Sequence, residues 1–202
     1  MDSAAARSGG AVLEIVIDEH KIDRASAERF RCAVEAAGVG TETGQTAVVR
    51  LLIDCGGGKY NGTFDIIEQV RALQASGVVV EAFISGQCGS LAAVLAAACD
   101  RVEISSTGSL MWHGLVLTSF AGDRNALAVR LERLDAQIDR VVEVLLARAR
   151  RYPDRRDARL ARRSSLRKLM RTAEHIWFSP TEALTAGLVE AISEPSELLA
   201  AA

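Results

Sequence analysis

Two segments of strand length, residues 47–53 and 78–84, are almost continuously apolar, and each runs into a small-residue turn and then a segment with helical spacing. A strand with one wet face alternates apolar and polar side chains. A run without that alternation suits a strand covered on both faces of a parallel sheet. The neighbouring segments fit the same plan. Residues 12–17 are a strand candidate. Residues 25–37 have the helical period, with Phe30, Val34 and Ala37 on one side and Gly38 and Gly40 ending it. Residues 63–75 repeat the helical pattern through Ile66, Ile67, Val70 and Leu73. Residues 90–99 form a helix with no polar face after the first position, as expected of an enclosed helix. Short strands follow at 102–104 and 110–112. The β-α-β-α-β-α order predicts an α/β fold whose parallel sheet is covered by helices.

The chain has 202 residues, enough for one sizeable core. We expect a flexible tail over 1–11, a single domain over 12–195 and a second tail over 196–202. A net charge of -2 gives no global argument for a nucleic-acid or membrane partner. No apolar run approaches the ~20 residues that span a bilayer. The four cysteines, Cys32, Cys55, Cys88 and Cys99, include no Cys-x-x-Cys pair. They read as buried free thiols of a reducing, cytoplasmic protein, with no metal site.

The second half changes character. Leu127, Leu131, Leu134, Ile138, Val141 and Leu145 form a seam at alternating spacings of 4 and 3, behind a candidate N-cap at Asp123. Such a seam packs on the domain's own core or on a second subunit. Residues 148–171 are rich in arginine, which reads either as a solvated helical face or as a surface for an anionic partner. Ser179 and Pro180 mark a helix start, and 187–192 a last short strand.

Chemistry concentrates in three places. Ser90 follows Ser85-Gly86-Gln87-Cys88-Gly89 at the start of the enclosed helix, where unpaired N–H groups favour negative charge. It reads as a nucleophile or as an ordinary N-cap. Gly56, Gly57 and Gly58 follow a buried strand and either turn the chain or aim amides at an oxyanion, with the Gly58 and Leu91 amides as the pair of donors. His113 ends a short strand and is a candidate general base. His175 and Glu174 are candidates to orient it, or are merely solvated. Lys59, beside the glycines, is the one plausible lysine for a Ser-Lys dyad.

Taken together these blocks resemble the ClpP/crotonase superfamily, and most closely the Clp-type protease proteolytic subunit. The family's Pro-Gly-Gly loop corresponds to Gly56-Gly57-Gly58, its Gly-Gln-Ala-Ala-Ser-Met-Gly to Gly86-Gln87-Cys88-Gly89-Ser90-Leu91-Ala92, and its Met-Ile-His-Gln-Pro to Met111-Trp112-His113-Gly114-Leu115. Its closing Ser-Ala-x-Glu-Ala-x-x-Tyr-Gly-Leu-Val-Asp resembles residues 179–190. The family's aspartate falls on His175, beside Glu174, and the handle region carries an arginine-rich insertion near 153–163.

The resemblance implies repeated β-α-β units with a protruding handle helix within about 120–170. It implies a serine endopeptidase acting on peptides or unfolded proteins. Its subunits would form stacked rings, as a homo-oligomer or together with a homologue, fed by an ATPase unfoldase. The catalytic set is then Ser90, His113 and His175 or Glu174, with Gly57, Gly58 and Leu91 binding the oxyanion and substrate. No cofactor is called for. Two alternatives remain open: a catalytically impaired subunit that co-assembles with an active homologue, and a crotonase-like enzyme acting on acyl-CoA.

Overall fold

The computed structural model describes residues 11–18, 21–40, 46–116, 121–152, 154, 160–172 and 174–194. Strand and helix alternate through the first half: β1 (Ala11–Ile17), α1 (Arg24–Ala36), β2 (Thr46–Cys55), α2 (Tyr60–Ala75), β3 (Val79–Gly89), α3 (Ser90–Ala98) and β4 (Arg101–Ser105). Then come β5 (Ser109–His113), α4 (Arg124–Arg150), α5 (Arg163–Leu169), β6 (His175–Phe178), α6 (Pro180–Thr185) and β7 (Ala191–Ser193). The sheet has the order β1-β2-β3-β4-β7, all parallel. A branch adds β5 parallel to β3 and β6 antiparallel to β5. The α/β class and the mostly parallel sheet are therefore as the sequence predicts. Residues 1–10 and 196–202, where tails are expected, lie outside the described residues.

The core forms on one side of the sheet. Register aligns Ile15 with Leu51, Leu51 with Ala82, and Ala82 with Val102, and all four side chains are buried with α2 and α3 in a single apolar cluster. The expectation that the sheet is apolar on both faces does not hold. On the other face, Glu14, Arg50, Glu81 and Arg101 stand in register across four strands. Arg50 lies 3.3 Å from Glu14 and 3.1 Å from Glu81. Val12, Val16 and Val79 on this face are exposed. The apolar run misleads because Val48 and Leu52, flanking Arg50, look like core residues in a one-dimensional reading. Two smaller differences follow the same logic. Ala37 is exposed, so the buried stripe of α1 is Ser26, Ala27 and Phe30. Cys32 is exposed, while Cys55, Cys88 and Cys99 are buried.

Helix α4 resolves the ambiguity of its seam by dividing it. Asp123 caps it as expected, accepting from the Ala126 N–H at 2.9 Å. Ile138, Val141 and Leu145 are buried in the core. Leu127 and Leu131 are exposed, together with Val129. The first third of the helix thus projects beyond the body.

Part of the arginine-rich stretch is paired within the chain, while Arg155, Arg156 and Arg159 lie outside the described residues. Arg163, Arg167 and Arg171 on and after α5 pair with Glu143, Asp139 and Asp135 of α4, in antiparallel order. Arg148 is only 2% exposed. Its guanidinium donates to the Leu188 carbonyl at 3.1 Å and pairs with Glu190, whose other oxygen accepts from the Tyr152 hydroxyl at 2.6 Å. This knot ties the end of α4 to the segment before β7, which begins at Ala191 instead of Gly187. Most of the insertion, 153 and 155–159, lies outside the described residues.

A buried charge that loses its partner costs roughly 3–5 kcal/mol. Arg148→Met should therefore lower stability by about that much in thermal or denaturant unfolding. A loss below about 1 kcal/mol, the level of a surface ion pair, would show that the knot is solvated.

Candidate active site

Strand β3 delivers the candidate nucleophile. Its first half lies between β2 and β4, and its last residues, Gln87–Gly89, leave β4 and pair with Ser109–Met111 of β5. The chain then turns directly into α3. Gly89 takes the N-cap position and supplies no side-chain cap. The N-cap reading of Ser90 is thereby removed, because Ser90 is the first helical residue. Ser90 has φ 52°, the one positive value on a non-glycine residue among the described residues. That region costs a side-chain-bearing residue on the order of 1–3 kcal/mol and persists where the surroundings enforce it. A hydroxyl on a sharp strand-to-helix turn is the arrangement by which a serine is presented to a substrate. The first N–H groups of α3, Leu91 included, have no intrahelical partner.

The glycine loop lies against this turn. Cys55 of β2 is in register with Cys88 of β3, and the Asp54 carboxylate accepts from the Gln87 N–H at 2.8 Å. These ties bring Gly57 so close that a Cβ on it would stand 2.7 Å from the Ser90 Cβ and 3.2 Å from its Oγ. Gly57 also has φ 130°. Gly58 forms a parallel bridge with Ile22 in which the Ile22 N–H donates to the Gly57 carbonyl and the Lys59 N–H to the Ile22 carbonyl. In that pattern the Gly58 N–H points away from Ile22, and it donates to nothing among the described residues. Among the described residues the Gly58 and Leu91 amides thus have no acceptor, Leu91 following Ser90 in the chain and Gly58 following Gly57, which touches Ser90.

His113, at the end of β5, shares a cavity with Ser90. Leu91 and Val94 of α3, Trp112, Leu115, Val141 and Leu145 of α4, and Met170 complete the lining. No hydrogen bond joins Ser90 Oγ to His113. The His113 Nδ1 lies 2.5 Å from the Gly114 carbonyl oxygen. A carbonyl only accepts, so in the neutral ring this contact favours the tautomer with hydrogen on Nδ1 and Nε2 as acceptor. Gly114 is held in turn. A Cβ there would meet the Thr172 and Met170 carbonyls at 2.3 and 2.7 Å, and the Leu115 N–H donates to Met170 at 3.3 Å.

His175 stands directly opposite His113 in the β5–β6 register, with ring centroids 5.0 Å apart. No hydrogen bond joins the two rings, and His175 is exposed. Glu174 is exposed and makes no hydrogen bond or ion pair among the described residues. Lys59 turns to Asp23, 4.0 Å away, and does not line the cavity. The nearby thiols are no rival nucleophiles. Burial pushes Cys55 up and Cys88 well above the usual thiol range, which disfavours the reactive thiolate.

A mostly parallel α/β sheet thus carries a hydroxyl on its strand-to-helix turn, a glycine loop packed against it and an imidazole lining the same cavity. The model of the Clp protease family matches residues 39–196, and the chain belongs to that family. No curated protein matches the chain.

Sequence reasoning singled out Ser90, His113, Gly57, Gly58 and Leu91; the structure places Ser90, Leu91 and His113 on one cavity and Gly57 against Ser90, while Gly58 does not line that cavity. Sequence reasoning missed Gly114, since a backbone carbonyl leaves no mark in the residue type. It also missed Trp112 as a wall of the site, although the bulky indole next to His113 was visible. Gly57→Ala should disable the site more than the fold: a Cβ there pushes on Ser90, so the melting temperature falls modestly while Ser90 loses reactivity toward an active-site phosphonate by at least about tenfold. Unchanged reactivity would show that the close approach of Gly57 and Ser90 is not needed.

Proposed function

We propose that this member of the Clp protease family is a serine peptidase whose base is oriented by a backbone carbonyl. Ser90 Oγ attacks the peptide carbonyl carbon and passes its proton to His113 Nε2. The Gly58 and Leu91 amides stabilise the oxyanion. The C–N bond breaks as His113 returns the proton to the departing amine. Water then attacks the acyl-Ser90 ester with the same histidine as base, releasing the acid and restoring the serine. The Gly114 carbonyl performs the tautomer-fixing role that the resemblance gave to His175 or Glu174. The observation that carries this reading is the strained Ser90 turn facing His113 in one cavity. The missing Ser90–His113 hydrogen bond does not oppose it, because such bonds often tighten only with substrate bound.

The exposed start of α4 supports assembly. Leu127 and Leu131 continue the seam that Ile138 and Leu145 bury, and a second subunit of the same family is the natural cover. Stacked rings on peptide substrates follow from that membership as part of the same proposal. A second reading, an impaired subunit that co-assembles with an active homologue, rests on the neutral carbonyl where a carboxylate would better stabilise imidazolium. The acyl-CoA alternative gains nothing, since it needs the amides but not Ser90 and His113 together.

A fluorophosphonate should label the folded protein at Ser90, and Ser90→Ala should abolish labelling. His113→Ala should slow it by about 10²-fold or more, the usual worth of a general base. His175→Ala should change it by less than about threefold. Ring-sized particles that never label would favour the impaired subunit. A His175→Ala loss as large as that of His113→Ala would overturn the role given to Gly114.

A further inference from the structure

The cavity beside Ser90 carries information on what it accepts. Its lining is apolar, from Leu91, Val94, Val141, Leu145 and Met170, apart from Ser90 and His113. Trp112 is part of the lining. Its ring is 2% exposed and packs edge-on against Phe178, with centroids 5.6 Å apart. Its Nε1–H is buried without a hydrogen-bond partner. The remaining space has room for about one water molecule.

We infer that this cavity receives the substrate side chain on the acyl side of the scissile bond, and that Trp112 restricts it to small side chains, serine and alanine ahead of leucine and phenylalanine. The inference rests on the peptidase reading of Ser90. The size limit is steric. A close-packed interior does not expand at no cost, and each extra methylene forced into it opposes binding. The second element is polar. A buried donor without an acceptor is unfavourable, and Trp112, which lines the cavity, carries such a donor; in the proposed subsite water or a substrate hydroxyl supplies its acceptor. A serine side chain replaces that water in kind. An alanine methyl displaces it and leaves the donor unpaired.

Peptidyl diphenyl phosphonates that differ only in the residue next to phosphorus test this on the whole protein. In each, Ser90 Oγ bonds to phosphorus and phenoxide leaves, so the rate of adduct formation by mass spectrometry reports fit at the cavity. The expected order is serine, then alanine, then leucine and phenylalanine, with alanine ahead of phenylalanine by roughly tenfold or more, as size discrimination in an apolar pocket gives. Trp112→Ile should reverse the alanine–leucine order and erase the advantage of serine. Should that variant fail to fold, the wild-type order decides alone. Wild-type rates for leucine or phenylalanine equal to or above that for alanine would overturn the size limit. Alanine equal to or ahead of serine would overturn the role of the indole N–H. Failure of every phosphonate, and of the simple fluorophosphonate, would instead remove the peptidase reading itself, and this inference with it.

Discussion

The site depends on one steric constraint: two pieces of backbone must touch. Gly57 and Ser90 approach so closely that no side chain fits between them. The approach is enforced from below, by the register of Cys55 with Cys88 and by Asp54 on the Gln87 amide. It is enforced from the side by Ile22, which bridges Gly58 on the loop's outer flank. The sheet therefore forces together the ends of β2 and β3, and the strained φ of Ser90 is the consequence. Strain of this size is affordable only because many strand and helix contacts over-determine the turn.

From that constraint the electrostatics follow. Among the described residues the turn leaves the first N–H groups of α3 unpaired, and the bridge to Ile22 leaves the Gly58 N–H without an acceptor. In the proposed mechanism both donors are fixed before any substrate arrives, which is what makes an oxyanion site effective. The branch of the sheet contributes the other half. Because β3 hands its last residues to β5, His113 at the end of β5 lies across the cavity from Ser90. A carboxylate normally sets the tautomer of such a histidine and stabilises its charge. In the proposed mechanism the Gly114 carbonyl accomplishes the first and contributes only a dipole to the second.

Much of this was legible in the chain. The β-α-β order, the enclosed α3 and the Asp123 cap are local patterns, and local patterns survive without tertiary context. The two faces of β2 were not legible, because Arg50 reads as an interruption until Glu14 and Glu81 are seen beside it. Arg148 looked like one of many surface arginines, and only the fold brings Glu190 and the Leu188 carbonyl to it. β6 was missed as a strand, since its four residues are too short for a period and are defined by pairing with β5. At the candidate site, residue types point to the serine, the glycines and the histidine. The proposed orienting group has no such mark, for every residue has a carbonyl and only geometry selects one.

The account is tested most directly by the tautomer of His113 in the free protein. Two-dimensional ¹⁵N–¹H correlation of imidazole-labelled protein, at a pH where the ring is neutral and with His113→Gln to assign the signal, distinguishes the two forms. Hydrogen on Nδ1 with Nε2 bare is the result predicted by the bond to the Gly114 carbonyl. Hydrogen on Nε2 would leave Ser90 without a base and contradict the mechanism.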